Sequence, residues 1–459
     1  MLPEKFLNRM EALLKDEYPA FLHAIEQNSV RAMRLNSLKS EAFVLENAFF
    51  PALAPIPYAS DGYIFDIDKI GNHPLHHAGA FYVQDPGAMA TLHALPIKKG
   101  WHVADFCAAP GGKASQLSAY VGEEGLVLAN EIDHGRCKAL AGNFERLGVR
   151  NVLLTNTDSA SISSWYPCFF DLVLVDAPCS GEGMFRKYDH ARSEWSEENV
   201  LSCAKLQREI LDHAAAAVKN GGYLLYSTCT FSLEENEKNV DSFLFRHPDF
   251  CVQSISDALI PYTAEGIAFE GALHPDALRL TRRFYPHIAM GEGQYIALFK
   301  KRGEAEESTV RLRDVPVSLS KDEQRTVTAF FDSVLDKEGQ GIIQKAFQLV
   351  RFKESVFLKN AIPMPPRSVY MPGVCVGTLV KGRIEPHHQF FSAFGKYFQR
   401  KEHFSKDTPL LQRYLRGETF PSMLANGYAA VLVEGCALGG IKVSSGVAKN
   451  HYPKGLRLH

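Results

Sequence analysis

Between Trp101 and about Lys301, short apolar segments alternate with helical stretches, and this alternation constrains the fold more than any other feature of the chain. The segments predicted to be strands are His102–Phe106, Leu126–Glu131, Asn151–Thr155, Asp171–Asp176 and Tyr223–Ser227. Helices are predicted between most of them, notably at Asp133–Leu147 and Glu197–Lys219. Strands that alternate with helices are typical of a doubly wound parallel sheet. The sequence therefore predicts an α/β fold with a Rossmann-like sheet.

The 459 residues are enough for about three domains of roughly 150 residues. The domains predicted from changes in pattern are an N-terminal α/β domain at 1–90, the sheet domain at 91–302, a mixed domain at 311–375 and a basic, β-rich module at 376–459. Lys301–Ser308 is predicted to be a linker, and Ala361–Gly373, which holds four prolines, to be a hinge. Phe49–Tyr58 is also rich in proline and is predicted to be irregular.

The last module has the clearest local signals. Thr408 and Pro409 are predicted to begin a helix that ends before Gly417. Ala429–Val433 and Gly440–Val443 are predicted to be strands.

Charge is distributed unevenly along the chain, although the formal net charge is only -2. Residues 351–459 carry sixteen Lys and Arg against six Asp and Glu, a net of +10, which leaves -12 for residues 1–350. A basic end on an acidic body indicates contact with a polyanion. Random drift of surface charge is the alternative.

Nine cysteines occur without the regular spacing of a disulfide framework, and no pairing of cysteines or histidines suggests a zinc site. The first residues lack the apolar core of a signal peptide. No uncharged apolar run approaches the roughly 18 residues that cross a membrane. These features predict a cytoplasmic protein with no membrane partner.

The segment Asp105-Phe-Cys-Ala-Ala-Pro-Gly-Gly-Lys113 follows the first predicted strand. Its two glycines allow a tight turn and a close approach to a ligand. Glu131 ends the next strand, where a carboxylate can accept hydrogen bonds from both hydroxyls of a ribose. The segment matches neither the dinucleotide nor the Walker motif, which favours an adenosine ligand without a pyrophosphate, S-adenosylmethionine. A helix-capping turn without a ligand is the alternative.

Two further motifs follow predicted strands, Asp176-Ala-Pro-Cys-Ser-Gly-Glu-Gly183 and Ser227-Thr-Cys-Thr-Phe-Ser232. Ligands of open α/β sheets bind at the carboxyl ends of the strands, so Asp176, Cys179 and Cys229 are predicted to face one crevice. A single cysteine is more often a buried apolar residue. Two cysteines at adjacent strand ends favour nucleophilic chemistry instead, because a thiolate can add to C6 of cytosine or uracil and make C5 able to accept a methyl group.

These three motifs, together with Phe81-Tyr-Val-Gln-Asp-Pro-Gly87, resemble those of the Nop/Sun family of RNA 5-methylcytosine methyltransferases. The resemblance covers about residues 30 to 300 and includes Arg34-Leu-Asn36-Ser-Leu-Lys39 in the N-terminal domain. Gly427–Val433 and Lys449–Gly455 are similar to the PUA-like tail of the RsmF-type subgroup, whose substrate is 16S ribosomal RNA.

The resemblance implies a methyltransferase that uses S-adenosylmethionine and acts on ribosomal RNA or the small ribosomal subunit, with tRNA as an alternative substrate and a monomer as the expected state. It places seven residues at the methionine end of the cofactor: Cys107, Ala108, Ala109, Pro110, Gly111, Gly112 and Lys113. Glu131 would hold the ribose and Asp158 would lie near the adenine, although Asp158 is also explained as a helix cap. Asp176 would lie between cofactor and base, Cys229 would be the nucleophile, and Cys179 would assist product release.

The basic segment Lys381–Lys406 is interleaved with aromatic residues that are predicted either to stack on RNA bases or to belong to a core. These residues are Phe390, Phe391, Phe394, Tyr397 and Phe398. Arg186 and Lys187 are predicted to contact phosphates near the catalytic loop, with solvated charges as the alternative.

Two other functions are compatible with parts of this pattern. A non-catalytic ribosome-assembly factor would need neither thiol. An amino-group methyltransferase would need an Asp/Asn-Pro-Pro-Tyr/Phe loop where this chain has Asp176-Ala-Pro-Cys179.

Overall fold

The computed structural model of the protein describes residues 2–304, 310 and 318–458. Residues 305–308 of the predicted linker and 311–317 of the predicted domain at 311–375 lie outside the described residues.

The N-terminal part contains a four-stranded antiparallel sheet in the order β2-β3-β1-β4. Its strands are β1 (Ala32–Leu35), β2 (Leu53–Ile56), β3 (Ala59–Phe65) and β4 (Phe81–Val83). Its helices are α1 (Glu4–Leu14), α2 (Tyr18–Glu26), α3 (Ala42–Phe49), α4 (Pro74–His77) and α5 (Pro86–Ala90). The prediction that Phe49–Tyr58 is irregular is therefore wrong, because β2 lies inside it. Since β2 is an edge strand, Pro55 can occupy it with no loss of an internal ladder hydrogen bond.

The central sheet follows in the order β11-β12-β13-β9-β8-β5-β6-β7-β16, and β10 also pairs with β13. Its strands from this region are β5 (His102–Asp105), β6 (Leu126–Asn130), β7 (Val152–Thr155), β8 (Phe170–Asp176), β9 (Val218–Thr228), β10 (Phe250–Gln253), β11 (Ala264–Glu265), β12 (Arg282–Phe284) and β13 (Gln294–Lys301). Its helices are α6 (Gly112–Val121), α7 (His134–Leu147), α8 (Ser159–Trp165), α9 (Asp189–Glu194), α10 (Glu197–Ala217), α11 (Glu237–Arg246) and α12 (Pro275–Leu280).

Strands β9, β8, β5, β6 and β7 are mutually parallel, which confirms the predicted doubly wound sheet. The chain proceeds from β5 through β6 to β7 on one side and then crosses to β8 and β9 on the other. The point where the order reverses therefore lies between β5 and β8. In sheets of this kind, ligands bind in the crevice at that point, beyond the carboxyl ends of the strands.

The C-terminal part contains two smaller sheets, ordered β14-β15-β17-β18 and β19-β21-β22-β23-β20. The strands are β14 (Gln348–Phe352), β15 (Ser355–Lys359), β16 (Val369–Met371), β17 (Val374–Val380), β18 (Arg383–Pro386), β19 (Lys401–Phe404), β20 (Phe420–Pro421), β21 (Gly427–Val433), β22 (Cys436–Ser444) and β23 (Val447–Asn450). The helices are α13 (Lys321–Val334), α14 (Lys337–Ala346), α15 (His388–Phe394) and α16 (Pro409–Leu415). The predicted helix after Thr408 and the two predicted strands are confirmed.

The proline-rich segment Ala361–Gly373 is not a hinge between separate bodies. Its β16 strand pairs with β7 at the edge of the central sheet. Ile362 and Met364 are buried in the same core as the strands of that sheet, and the Tyr166 hydroxyl donates to the Pro363 carbonyl at 2.5 Å. The segment fastens the C-terminal part to the central sheet.

The cores of the N-terminal and C-terminal parts are also continuous with each other. Met33 and Leu45 belong to one buried cluster with Tyr414 and Ile441. Removal of the C-terminal module would therefore expose apolar surface of the N-terminal part, which raises the free energy of what remains.

The aromatic residues of the basic segment Lys381–Lys406 lie in the core, which confirms the second of their two predicted roles and not the stacking on RNA bases. The buried set is Phe390, Phe391, Phe394, Tyr397 and Phe398. They pack with helix α13 and strand β21 residues in a single cluster. Helix α15 is buried on all sides, so its phenyl rings are enclosed, whereas basic side chains of the segment such as Lys381 and Lys396 reach the surface.

Among the described residues, no helix combines the length and apolar character needed to cross a membrane.

Candidate active site

The loop after β5 brings the backbone close to the crevice at the switch point. Gly111 caps α6 with a φ of 109°, a left-handed conformation that a residue with a side chain adopts only with strain. A Cβ at Gly111 would also lie 2.8 Å from Leu140. At Gly112 a Cβ would lie 3.1 Å from the ring of Tyr82. Gly111 is thus required by its conformation and by the close contact with α7, and a side chain at Gly112 would crowd β4.

A cleft of about 810 Å³ opens beyond the strand ends, within the range of about 300–1,000 Å³ typical of small-molecule sites. Five of the predicted cofactor residues line it: Cys107, Ala109, Glu131, Asp158 and Asp176. Another four line an adjoining cavity of about 260 Å³: Ala108, Pro110, Gly112 and Lys113. Gly111 lines neither cavity and contributes only the turn.

Glu131 is the polar group best placed to hold a ribose in the larger cleft. Its side chain is 3% exposed. One carboxylate oxygen accepts from the backbone N–H of Asp133 at 3.0 Å, whereas Oε2 makes no hydrogen bond and has only the Arg136 guanidinium at 3.3 Å. A buried oxygen without a hydrogen bond is costly, and a ribose diol in the cleft would supply the missing donors. This unpaired acceptor therefore fits the ribose of S-adenosylmethionine.

Asp158 caps a helix, as one of its two interpretations predicts, and a role near the adenine stays a prediction. It lines the cleft, and it also caps α8, because its carboxylate accepts from the Ser161 N–H at 2.8 Å and from the Ser161 hydroxyl at 3.0 Å. Backbone hydrogen bonding by Ser161 lowers the pKa of Asp158. This carboxylate is therefore a fixed negative group at the edge of the cleft.

Asp176 lies at the end of β8, between the larger cleft and the smaller cavity, both of which it lines. One of its oxygens is 2.8 Å from Lys113 Nζ, and the other accepts from the Ser227 hydroxyl at 2.7 Å. Burial alone would lower the pKa of Lys113, but the charge of Asp176 outweighs it and the pKa is raised. The site therefore contains a buried ammonium group held by a carboxylate.

The two cysteines meet at the ends of neighbouring strands, as the sequence predicts. The Sγ atoms of Cys179 and Cys229 are 3.2 Å apart. Cys229 lines both cavities, whereas Cys179 lines only the larger one. The hydrogen bond to Cys229, together with burial, raises the pKa of Cys179 well above its ordinary value. Cys179 therefore holds its proton more tightly than an ordinary cysteine thiol does.

Two buried glutamates connect the loops that carry these cysteines. Glu235 accepts from the backbone N–H of Ser180 at 3.0 Å, and the Ser180 hydroxyl lies 2.9 Å from that of Thr230. Glu182 in turn accepts from the Thr230 hydroxyl at 2.8 Å and from the N–H of Phe231 at 2.8 Å. Burial raises the pKa of Glu235 to about 7. The separation of the two sulfur atoms is thus fixed by contacts one residue away from each.

Arg186 and Lys187 do not present free charges for phosphate, so the prediction that they contact RNA near the catalytic loop is wrong. Arg186 is 6% exposed and pairs with Glu292 at 2.6 Å. Lys187 pairs with Asp85 at 3.0 Å. These ion pairs join the catalytic loop to the segment before β13 and to the Phe81–Gly87 motif.

Sequence reasoning missed two glutamines that line the smaller cavity, Gln84 and Gln294. Gln84 belongs to the Phe81–Gly87 motif, so a signal was present without an assigned role. Gln294 begins β13 and has no local sequence signal.

Removing the Glu131 carboxylate is expected to weaken cofactor binding more than it weakens the fold. Glu131→Ala should cost about 1.5–3 kcal/mol of S-adenosylmethionine binding, the range for hydrogen bonds to a charged acceptor, which is roughly a 10- to 150-fold rise in Kd. Calorimetric titration measures it. Glu124→Ala, at an exposed carboxylate, is the control, and equal affinity in both variants would exclude Glu131 from the site.

Family models match three parts of the chain. Residues 92–300 match a model described as 16S rRNA methyltransferase RsmB/F. Residues 2–86 match the N-terminal domain of 16S rRNA methyltransferase RsmF, and residues 401–458 match the methyltransferase RsmF PUA domain.

Curated relatives carry the same description. The chain is 33% identical over 352 residues to ribosomal RNA small subunit methyltransferase F of Vibrio parahaemolyticus, which covers 73% of this chain and 72% of the relative. It is 34% identical over 311 residues to the protein of that name from Vibrio cholerae, and the matched region covers 65% of this chain and 64% of the relative.

Solved structures show the same fold over about two thirds of the chain. A methyltransferase homologue from Pyrococcus horikoshii superposes with a TM-score of 0.57 at 28% identity, covering 65% of this chain and 95% of that one. NSun6 from Pyrococcus horikoshii, crystallised with the S-adenosylmethionine analogue SFG, gives a TM-score of 0.57 at 21% identity over 66% of this chain and 99% of that one, which bears on the fold alone. The protein uses S-adenosylmethionine as its cofactor, and the chain belongs to the family of 16S rRNA methyltransferases RsmB/F, in its RsmF branch.

Proposed function

We propose that the protein transfers a methyl group from S-adenosylmethionine to C5 of a cytosine in 16S ribosomal RNA, through a covalent bond between Cys229 and C6. The observation that carries this proposal is the pair of thiols 3.2 Å apart beside the ion pair of the buried Lys113 ammonium group with the partly exposed Asp176 carboxylate. Binding RNA without chemistry would need neither thiol, so a non-catalytic assembly factor leaves this arrangement unexplained.

Cys229 is the better placed nucleophile of the two cysteines. It lines both the larger cleft and the smaller cavity, and residues predicted to hold the methionine end of the cofactor, among them Ala108 and Lys113, line the smaller cavity as well. A base that enters the smaller cavity would therefore meet both the Cys229 sulfur and the methyl donor. Attack requires a thiolate, and the raised pKa of Cys179 keeps that residue protonated. A protonated neighbour supports the release step instead, because it can return a proton as the sulfur–C6 bond breaks.

The Lys113–Asp176 pair suits the electronic demands of cytosine. Addition at C6 places negative charge on the ring at N3, which the Lys113 ammonium can stabilise. The Asp176 carboxylate is an acceptor that matches the N4 amino group of cytosine and opposes the O4 carbonyl of uracil. When bound, S-adenosylmethionine supplies an electrophilic methyl group. The ion pair therefore supports cytosine rather than uracil as the substrate base.

An amino-group methyltransferase is less consistent with the site. Such a reaction needs no nucleophilic thiol, whereas here two thiols and the glutamates that hold their loops occupy the strand ends.

A duplex would shield C6 from the thiols, so the target must be unpaired or turned out of its helix.

Bisulfite sequencing of 16S ribosomal RNA tests the proposal directly. A strain lacking the gene should lose 5-methylcytosine at one or more positions, and expression of the wild-type protein should restore it. Restoration by wild type but not by Cys229→Ala would connect the modification to this site. An unchanged pattern after deletion, with tRNA as the parallel measurement, would overturn ribosomal RNA as the substrate.

The exposed lysines of the C-terminal part are expected to supply RNA affinity in place of its buried aromatic residues. Replacing Lys381, Lys396, Lys449 and Lys454 by glutamine should weaken RNA binding and flatten its dependence on salt, because each phosphate contact contributes about 0.7 to the logarithmic slope. All four are exposed, so the fold should be retained. The measurement is a filter-binding titration over a range of salt concentrations.

The control is a second fourfold variant with the same change of charge at exposed lysines elsewhere. It replaces Lys98, Lys99, Lys205 and Lys321. Equal slopes in the two variants would show that the basic C-terminal part acts only through net charge.

A further inference from the structure

The smaller cavity, of about 260 Å³, contains polar groups that neither the cofactor nor the two cysteines account for. Cys229, Asp176 and Lys113 line it, and so do Gln84 and Gln294. Its volume is below the range of about 300–1,000 Å³ that encloses whole drug-sized ligands. It therefore suits a single ring rather than a complete nucleoside.

Gln84 is fixed with its amide nitrogen free. The Arg34 guanidinium, itself 1% exposed, donates from Nε to Gln84 Oε1 at 2.9 Å. Since arginine can only donate, this contact assigns the oxygen of Gln84 to Arg34 and leaves the NH₂ group as the other end. Gln84 is 9% exposed, and its Nε2 has no hydrogen-bond partner. Arg34 also donates to Ser115 at 2.8 Å, which holds it in place.

Gln294 presents a second amide to the same cavity. It is 3% exposed, and its Nε2 likewise has no hydrogen-bond partner. Strand β13 places it beside the nucleophile, because the next residue, Tyr295, pairs with Thr228, which precedes Cys229. The two glutamines come from segments 210 positions apart (294 minus 84), so only the fold brings them to one cavity.

Asp85, the residue after Gln84, differs from the two glutamines because its polar atoms already have partners. Asp85 also lines the cavity, but its carboxylate accepts from the backbone N–H groups of Gly87 at 2.9 Å and Glu292 at 3.2 Å and pairs with Lys187. Asp85 is thus occupied with structural contacts. Two buried amide nitrogens without partners, each costly to leave unbonded, indicate a ligand with an acceptor in this position.

We propose that Gln84 and Gln294 donate hydrogen bonds to the O2 carbonyl of the target pyrimidine and hold it for attack by Cys229. This inference rests on the proposed function and assigns it two residues that contact the substrate base. The O2 atom is the acceptor that remains once Asp176 takes the N4 amino group and Lys113 the N3 edge.

Donors at O2 also assist the reaction. When the Cys229 sulfur forms a bond with C6, the C5–C6 π bond breaks and its electron pair is delocalised over C5, N3 and O2. The charge on O2 strengthens the two amide hydrogen bonds as the addition proceeds. The C5–methyl bond forms as the sulfonium–methyl bond of the donor breaks. Water then takes the C5 proton, the electron pair of the C5–H bond re-forms the C5–C6 double bond, and the sulfur–C6 bond breaks with its pair on the Cys229 sulfur, which takes the proton of Cys179. Return of that proton from Cys229 to Cys179, whose sulfur atoms are 3.2 Å apart, regenerates the thiolate.

Replacement of either amide tests the assignment. Gln84→Met and Gln294→Met should each lower the rate of methyl transfer by about 10²- to 10³-fold, the loss found when one preorganised donor is removed from a developing anion. The Kd for S-adenosylmethionine should remain that of wild type. The control is Gln116→Met, because Gln116 is also a buried glutamine with an unpartnered amide atom but does not line the cavity.

A change in the substrate separates direct contact from indirect structural effects. RNA with 2-thiocytidine at the mapped target replaces O2 by sulfur, a weaker acceptor. Wild-type protein and Gln116→Met should methylate it at least tenfold more slowly than normal RNA, whereas the two cavity variants should discriminate less, since they have lost the donor. The wild-type comparison needs no variant to fold.

The outcomes separate this inference from the proposed function. Suppose that the wild-type protein produces 5-methylcytosine. If both cavity variants are then fully active, or are as sensitive to 2-thiocytidine as wild type, the role of the two glutamines is overturned and the proposed function stands. A wild type that produces no 5-methylcytosine would overturn the proposed function and this inference with it.

Discussion

Cys229→Ala is expected to lose methyl transfer completely, whereas Cys179→Ala is expected to accumulate as a covalent protein–RNA conjugate. Without the Cys229 sulfur the addition to C6 does not begin, so neither product nor adduct forms. Without Cys179 the attack and the methyl transfer still proceed. The enzyme then stalls because the thiol that assists cleavage of the sulfur–C6 bond is absent.

The different surroundings of Cys229 and Cys179 explain why the two variants should differ. Cys229 lines both the cofactor cleft and the base-sized cavity, while Cys179 lines only the cleft. Its hydrogen bond with Cys229 and its burial raise the pKa of Cys179, which suits a proton donor and not an attacking thiolate. The two alanine variants should therefore differ in kind and not merely in degree.

The measurement is a denaturing gel of each variant expressed in cells, with and without nuclease. A slowly migrating, nuclease-sensitive band is expected for Cys179→Ala only. Cys251→Ala is the control, since Cys251 lies on β10 at another edge of the sheet and should behave as wild type. The reverse pattern would assign the attack to Cys179, and full activity in both active-site variants would reduce both thiols to packing residues.

The parts of this site that could be predicted are those encoded within one strand–turn–helix unit. Gly111, Glu131 and Cys229 each follow an apolar run, and the end of a parallel strand fixes where such residues lie. The family resemblance then supplied their roles. Nothing beyond the local pattern was needed to place them at one edge of the sheet.

The parts that could not be predicted depend on contacts between distant segments. Arg186 resembles a free phosphate ligand in sequence, but Glu292, 106 residues later, neutralises it. The sequence left the aromatic residues of α15 open between stacking on RNA and a place in the core, because it does not show that α13 and β21 pack against them. Gln294 gains its position only through the pairing of β13 with β9.

A comparable long-range contact supports the loop that carries the nucleophile, and its loss should have the largest effect on stability. Arg283 and Glu237 form a buried ion pair whose side chains are 2% and 0% exposed. Arg283 Nε donates to Glu237 at 2.6 Å, and its Nη1 donates to the Phe231 carbonyl at 2.8 Å. Phe231 lies two residues after Cys229, so the guanidinium ties the catalytic loop to the start of α11.

Arg283→Met is expected to lower the free energy of unfolding by about 3–5 kcal/mol, because it leaves the Glu237 carboxylate buried without its partner. The double variant Arg283→Met/Glu237→Met should recover much of this loss, since the uncompensated charge is then removed as well. Arg246→Met is the matched control. Arg246 pairs with Asp212 at 2.8 Å, but their side chains are 30% and 39% exposed, and an exposed pair contributes about 0–1 kcal/mol.

Urea unfolding of the full chain, followed by tryptophan fluorescence, measures these differences as shifts of the midpoint. The rate of methyl transfer, measured without urea at a temperature well below that at which the variants unfold, provides the second readout. The double variant should remain slow even where its stability recovers, because the Phe231 carbonyl has still lost its donor and the Cys229 loop its support. Equal stability losses for Arg283→Met and Arg246→Met would show that the buried pair contributes no more than a surface pair. Wild-type activity in the double variant would show that the ion pair does not help to position Cys229.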